Sequence, residues 1–242
     1  MMKLDEFIEK LKLAESCKTL YVKGCFGAPM TAANKKRYTT NLSYNAGRSG
    51  MINAATPDTF GFDCVCLIKG ILWGWDGSVD LIYGGAKYKS NGVPDVGADG
   101  IVGYLKNVST DFSTIQVGEC VWTNGHVGVY VGNGRCIECT PKWTNDVQYS
   151  NLGNNGFTTG HCRFWKKHGF LPWVDYNSSS EQQNPAGGQN SQTQEEYYIV
   201  KSGDAFDRIA RKYGMTRAQL KALNPQITNI NKIYPGQRIR VK

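Results

Sequence analysis

Apolar residues at the start of the chain recur close to the three- and four-residue steps that place side chains on one face of a helix. They are Leu4, Phe7, Ile8, Leu11 and Leu13. The spacing predicts an amphipathic helix over residues 3 to 16. From Leu20 to about Thr59 the chain is rich in Gly, Asn, Thr and Tyr without a sustained period, which indicates loop with short elements.

The next segment turns abruptly from polar to apolar. Its sequence is FGFDCVCLIKGILWGW, over residues 60 to 75. Asp is a favoured residue at the start of a helix, because its side chain accepts hydrogen bonds from the first free backbone amides. The pattern therefore predicts a buried helix that is capped by Asp63 and carries Cys64 in its first turn.

From Gln116 onward the period of the apolar residues is two. VGECVW, HVGVYVG and RCIECT are short runs separated by Asn124-Gly125 and Asn133-Gly134, and Asn-Gly pairs between such runs are typical of tight β-hairpins. HCRFWKKHGFLPWV predicts one more strand that closes the domain near Val174. A helix followed by an antiparallel sheet is an α+β arrangement.

Residues 175 to 195 contain almost no hydrophobic side chains, so burial cannot offset their ordering entropy and we predict a flexible linker. Beyond them the pattern reads strand, helix, helix, strand. We therefore expect a first domain over residues 1–174, a linker over 175–195 and a small βααβ domain over 196–242.

Composition is that of an ordinary globular protein, with 40% hydrophobic and 20% charged residues in 242. The formal net charge of +8 favours polyanionic partners such as nucleic acid, anionic lipid or bacterial wall polymers. No run of five basic residues occurs, and lysines and arginines are spread along the chain. This pattern disfavours nucleic acid as the partner.

The start of the chain alternates charged and apolar residues and lacks the apolar core of a signal peptide. No stretch approaches the roughly eighteen apolar residues that a membrane-spanning helix needs. We expect synthesis in a reducing cytoplasm and no membrane insertion, with free thiols at all eight cysteines. The cysteines are Cys17, Cys25, Cys64, Cys66, Cys120, Cys136, Cys139 and Cys162.

A nucleophilic cysteine needs thiolate character, a nearby base and a group that orients the base. A helix start offers unpaired amides and a partial positive charge that stabilise a thiolate and a developing oxyanion, which makes Cys64 the candidate nucleophile. His126 begins the HVGVYV strand and is the candidate base. His161 and His168 lack this context, and we expect ordinary surface or capping roles for them.

GFDCVCLIKGILWGW followed by GHVGVYVGNGRCIE resembles the NlpC-type papain-like cell-wall peptidases over roughly residues 15 to 175. The resemblance implies N-terminal helices packed on an antiparallel sheet, with Cys64 as nucleophile and His126 as base. It places the residue that orients the base at Glu138, where the family more often has His. Tyr21 and Asp63 fall at positions near the oxyanion and substrate. Cys66 is the alternative nucleophile, but it lies deeper in the predicted helix.

The C-terminal sequences YYIVKSGDAFDRIARKYG, ALNP and YPGQRIRV resemble LysM modules, whose glycan groove lies between two loops. The resemblance implies backbone contacts to N-acetylglucosamine glycan from both loops. The matching positions are Gly203, Asp204, Ala205, Phe206, Asn224, Pro225, Gln226 and Ile227.

Together these resemblances predict a peptidoglycan hydrolase that cuts an amide bond of the stem peptide without metal or cofactor. It would act on the wall after release from the cytoplasm, through a holin if it is a phage endolysin, or else as a bacterial autolysin. Three alternatives stay open: cleavage as an N-acetylmuramoyl-L-alanine amidase, a non-catalytic peptidoglycan-binding protein, and a zinc site. Zinc would use Cys64, Cys66, Cys136 and Cys139, but a regular strand points residues three apart to opposite faces.

Overall fold

The protein is described from a computed structural model. The structure describes residues 1–177, 197–201, 204–224, 227, 229–230, 232–233 and 237–241. The chain forms two compact units, Met1–Gln182 and Gln183–Lys242.

The first unit contains helices before and around its sheets. They are α1 (Leu4–Ser16), α2 (Ala32–Asn41), α3 (Ser43–Ala46), α4 (Ser49–Ala54), α5 (Cys64–Leu72) and α6 (Ala98–Ile101). The prediction for α1 is confirmed, and its buried face carries Phe7, Ile8, Leu11 and Ala14. The expectation of loop over residues 20–59 is wrong in part. The Thr31 side chain caps α2 by accepting the Asn34 amide. A helix start of this kind is marked by the capping residue and not by a hydrophobic period.

Strands of the first unit form three sheets. They are β1 (Met2–Lys3), β2 (Thr19–Tyr21), β3 (Phe26–Pro29), β4 (Phe60–Phe62), β5 (Lys106–Ser109), β6 (Cys120–Thr123), β7 (His126–Gly132), β8 (Arg135–Cys139), β9 (Val147–Leu152), β10 (Cys162–Arg163), β11 (Lys167–Phe170) and β12 (Val174–Asp175). The largest sheet has the order β10-β9-β8-β7-β6-β11-β5, beside a β2-β4-β3 sheet and a β1-β12 pair.

Two tight hairpins form the centre of the large sheet, as the Asn-Gly pairs predict. Thr123 pairs with His126 across the first turn, and β7 runs antiparallel to β8 across the second. Asn133 and Gly134 both have positive φ, which is the backbone that a type I′ turn requires. The hairpins fix which residues of β7 and β8 lie side by side.

Helix α5 is the central helix of the first unit, and all nine of its residues are buried. Its side chains share one core with Val127, Val129 and Ile137 of the central strands. Burial of large apolar side chains stabilises such a core by about 1.5–3 kcal/mol each. The predicted capped, buried helix is confirmed, and its packing holds the Cys64 end against β7.

The end of the first unit differs from the sequence expectation. The segment near Val174 contains three short strands rather than one, β10, β11 and β12. Tyr176 also packs into the unit, donating its hydroxyl to the Gly118 carbonyl at 2.9 Å. The packed region therefore continues past Val174. Of the predicted linker, residues 178–195 lie outside the described residues.

The second unit has the predicted strand, helix, helix, strand order. Its elements are β13 (Tyr197–Ile199), α7 (Phe206–Lys212), α8 (Arg217–Ala222) and β14 (Arg238–Arg240). The two strands pair antiparallel, and a small core forms between them and the helices. Asn224 stabilises this unit from the inside, because its side chain accepts from the Arg240 amide and donates to the Leu220 and Arg240 carbonyls.

Candidate active site

Asp63 fixes the start of α5. One carboxylate oxygen accepts the Cys66 amide at 2.7 Å, and the other accepts the Gly24 amide at 2.7 Å. The side chain is buried, and each oxygen already holds a backbone amide. In this structure Asp63 therefore positions the helix end and the neighbouring loop, whereas the sequence placed it beside the substrate.

Cys64 is the first residue of α5, and its thiol lies at the edge of β7. Burial and the nearby Asp63 carboxylate together raise the pKa of this thiol to about 12, against the lowering effect of the Val127 backbone amide. This direction opposes the thiolate character that the helix start was expected to give. Removal of the sulfur from water and the adjacent negative charge outweigh the helix amides.

His126, Glu138 and Arg163 form a connected polar group beside the Cys64 end of the helix. The His126 Nε2 atom lies 2.6 Å from a Glu138 oxygen. The Arg163 Nε donates to both Glu138 oxygens, at 3.0 and 2.8 Å. The Glu138 side chain is completely buried, and its hydrogen-bond partners within the described part of the chain are His126 and Arg163. The twelve-residue spacing from His126 to Glu138 corresponds to a direct contact across the second hairpin.

Glu138 is ionised in this arrangement. Burial alone would raise the pKa of its carboxyl, but hydrogen bonds from His126 and Arg163 hold the pKa below its usual value. A carboxylate accepts hydrogen bonds only. The His126 ring therefore donates its Nε2 hydrogen to Glu138, and a neutral ring presents Nδ1 as an acceptor.

No hydrogen bond joins the Cys64 thiol to the His126 ring, both of which lie in the described part of the chain. The sulfur faces the amide of Val127, the next residue after the histidine. Catalytic hydrogen bonds are often long in unliganded enzymes and tighten when substrate binds.

Aromatic rings surround the polar group. Trp165 is stacked on the His126 ring with centroids 5.6 Å apart. The Arg163 guanidinium lies over both Trp165 and Trp143, at 5.4 and 5.1 Å, and Trp143 stacks on His161. The sequence analysis missed Arg163 and Trp165, because only the pairing of β10 with β9 brings them to Glu138 and no local motif marks them.

Tyr21 lies at the end of β2, half-buried near Cys64. Burial raises the pKa of its hydroxyl, and the proximity of Cys64 and Asp63 raises it further. The hydroxyl therefore stays protonated at neutral pH, as a hydrogen-bond donor to an oxyanion must be. The Arg48 guanidinium covers the other side of this ring at 5.6 Å.

The remaining cysteines and histidines occupy other places. Cys136 and Cys139 belong to different cores on opposite faces of β8, so they do not converge on one ion. Among the described residues no group of three His, Cys, Asp or Glu side chains is arranged to hold a metal. His168 is not at the surface as expected. It is buried and hydrogen-bonded to Glu119, and this second histidine-carboxylate pair is marked by no local motif.

The predicted glycan-contact positions are only partly described. Gly203, Pro225 and Gln226 lie outside the described residues. The side chains of Phe206, Asn224 and Ile227 are buried, so only their backbone groups can face a ligand. Asp204 accepts from the Tyr198 hydroxyl and the Lys201 amide, and Ala205 is exposed ahead of α7.

Comparison with known proteins identifies the C-terminal unit. Residues 198–242 match the LysM domain family. A 46-residue stretch is 59% identical to chlorophenol reductase of Desulfitobacterium hafniense, over 19% of this chain and 14% of that protein. A 44-residue stretch is 52% identical to the N-acetylmuramoyl-L-alanine amidase sle1 of Staphylococcus saprophyticus, over 18% and 13%. Both stretches have about the length of the LysM domain.

A longer similarity links the chain to a phage lytic protein. Over 112 residues it is 34% identical to the endolysin of Bacillus phage B103, covering 39% of this chain and 41% of the endolysin. The chain thus spans about two fifths of that relative's length, and less of the others. In the described residues, no helix is long and apolar enough to cross a membrane.

Proposed function

We propose that the protein is a peptidoglycan hydrolase that cuts an amide bond of the stem peptide with Cys64, His126 and Glu138, and that its LysM domain attaches it to the wall glycan. The observation that carries this proposal is the buried His126–Glu138 contact beside the capped helix end that bears Cys64. The names of similar proteins, an endolysin and a cell-wall amidase, support a target in the bacterial wall.

In the proposed mechanism, Cys64 passes its proton to His126 Nδ1 as the sulfur attacks the amide carbonyl. Backbone amides at the start of α5 and the Tyr21 hydroxyl stabilise the oxyanion. The imidazolium then gives the proton to the leaving amine, and water releases the acyl group from sulfur. Glu138 holds the ring and balances its charge, and Arg163 holds Glu138. The papain-like NlpC-type fold is part of the proposal, as is the division into a hydrolase domain, a linker and a LysM domain, with the first boundary moved from residue 174 to beyond Tyr176, whose hydroxyl bonds within the first unit.

Cys64→Ala tests the nucleophile. We expect loss of amide cleavage on purified walls with wall binding unchanged. Cys66→Ala is a matched control, because this thiol lies on the same buried helix two residues further on. Retained lysis by Cys64→Ala would refute the proposal, and loss of lysis only in Cys66→Ala would transfer the role to Cys66.

Two alternatives have separate outcomes in the same experiment. Mass spectrometry of the released fragments distinguishes an N-acetylmuramoyl-L-alanine amidase from an endopeptidase, since the first frees whole stem peptides and the second leaves part of the stem on the glycan. A non-catalytic wall-binding protein would release neither product.

A further inference from the structure

The net charge of the chain is concentrated in its LysM domain. Residues 198–242 contain ten of the 28 Lys and Arg residues but two of the 20 Asp and Glu residues. The 45-residue domain therefore carries the whole net charge of +8, and the other 197 residues balance at 18 of each sign. If the excess positive charge served solubility alone, we would expect it to be spread over the surface of the whole chain and not confined to one small domain.

Acidic side chains of the domain leave most of this charge unbalanced. Asp207 is paired with Arg217. Asp204 accepts hydrogen bonds from the Tyr198 hydroxyl and a backbone amide, so its carboxylate is bound within the fold. On α7, Arg211 and Lys212 are both exposed.

The outer face of the β13–β14 strand pair presents two arginines beside exposed apolar side chains. In the strand register Tyr197 pairs with Arg240 and Ile199 with Arg238, while Ile239 points into the core. The Arg238 guanidinium lies 4.4 Å from the centre of the Tyr197 ring, and Ile199 is 58% exposed. This outer face is formed by strands, whereas the expected glycan contacts lie in loops.

We propose that the outer face of the β13–β14 strand pair binds an anionic phosphodiester polymer attached to the bacterial wall. The inference rests on the proposed function for the location of the partner. Wall glycan built of N-acetyl sugars carries no negative charge that could pair with the eight net positive charges of the domain. A polymer with a phosphate in every repeat carries such charges. Arginine is well suited to phosphate, because its planar fork donates two parallel hydrogen bonds.

Binding of the full-length chain to walls tests the proposal. Purified walls are compared with the same walls after removal of their phosphodiester polymers, across 50 to 300 mM salt. We expect affinity for intact walls to fall at least about tenfold over this range, since each neutralised phosphate adds to the salt dependence. Affinity for stripped walls should change less than about threefold.

Arg238→Gln with Arg240→Gln removes two charges from the outer face of the β13–β14 strand pair. We expect at least about fivefold weaker binding to intact walls at 50 mM salt and no change on stripped walls. Lys87→Gln with Lys106→Gln removes two exposed charges from the other unit and should leave both unchanged. If the double variant does not fold, Arg238→Gln alone provides the same comparison with one charge removed.

The proposal would be overturned if affinity were equal for intact and stripped walls. It would also be overturned if the Arg238/Arg240 variant and the Lys87/Lys106 control had equal effects. So would equally tight binding to duplex DNA or to vesicles of anionic phospholipid at the same salt, because the surface would then select no wall polymer. Cleavage of a soluble muropeptide is measured in parallel. Its absence would count against the hydrolase, while polymer-dependent wall binding would stand independently.

Discussion

Replacing Glu138 by Gln tests the hydrogen-bond geometry of the candidate site more sharply than deleting the side chain. The substitution keeps the shape of the group but removes its charge. The Oε2 atom of Glu138 accepts from both His126 Nε2 and Arg163 Nε, whereas Oε1 accepts from Arg163 alone. In the variant the amide oxygen therefore takes the place of Oε2 and keeps both bonds, and the amide nitrogen takes the place of Oε1. An amide nitrogen only donates, so it faces the Arg163 Nε donor without forming a hydrogen bond.

His126 keeps its Nε2 donor and its Nδ1 acceptor, but the imidazolium that forms during the reaction loses the negative charge that balances it. We expect Glu138→Gln to lower turnover of a soluble muropeptide by roughly 10- to 100-fold, which is about 1.4 to 2.7 kcal/mol of activation free energy. Removing one partner of a buried ion pair costs about 3–5 kcal/mol of stability, and the 17% exposure of the Arg163 side chain favours the lower end.

A second substitution should reverse the loss of stability but not the loss of turnover. Glu138→Gln with Arg163→Met removes the cation that has lost its partner, so we expect a recovery of unfolding free energy measured in urea. Turnover should stay within about threefold of the single variant, because the charge at position 138 is still absent. Glu119→Gln is the matched control, because it disturbs the other buried histidine-carboxylate pair and should reduce stability without reducing turnover.

Two results would refute this reasoning. One is a Glu138→Gln enzyme within threefold of the wild-type rate. The other is a double variant no more stable than the single one, because the unpaired Arg163 cation would then not be the source of the lost stability.

Further expectations concern the helix cap, alkaline pH and the two units. Asp63→Ala should cost about 1–2 kcal/mol of stability, from the lost helix cap, and also lower kcat; Thr31→Ala, which removes the cap of α2, should cost a similar stability in urea with kcat unchanged. Burial raises the pKa of Cys120 and of the other core thiols, so the folded state holds protons that the unfolded chain releases. Stability should therefore be unaffected below about pH 8 and fall above pH 9, by about 1.4 kcal/mol per pH unit for each such thiol. Cys120→Ala should make this fall of stability with pH less steep. Urea midpoints that stay constant from pH 8 to 10 would contradict the burial of these thiols. Deleting residues 196–242 should weaken wall pull-down much more than turnover of a soluble muropeptide, and equal loss of both would contradict separable roles.

Local chemistry allowed the sequence to predict the centre of the fold. Asp63 before an apolar run marks a capped helix, and each Asn-Gly pair marks a hairpin, because few residues tolerate the backbone of those turns. These two signals placed Cys64 on its helix and His126 on its strand. Glu138 came from the resemblance to NlpC-type peptidases, because the β7–β8 register shifts between Tyr130 and Gly132 and the turn alone does not show which residues meet.

Long-range pairing set the limit of prediction. Arg163 reaches Glu138 only because β10 lies beside β9, and that pairing has no counterpart in the local pattern. The pKa of the Cys64 thiol could not be predicted from the sequence for a related reason. The helix start was visible in the sequence, but the depth at which the sulfur is buried depends on how β7 packs against α5, and burial decided the pKa.

The complete burial of α5 ties the proposed nucleophile to the hydrophobic core of its unit. The position of the Cys64 sulfur therefore depends on that core and not on a surface loop. Substitutions in the core would displace the sulfur, whereas substitutions at exposed positions would leave it in place. Related proteins should vary more at the exposed residues around Cys64 than in α5 itself.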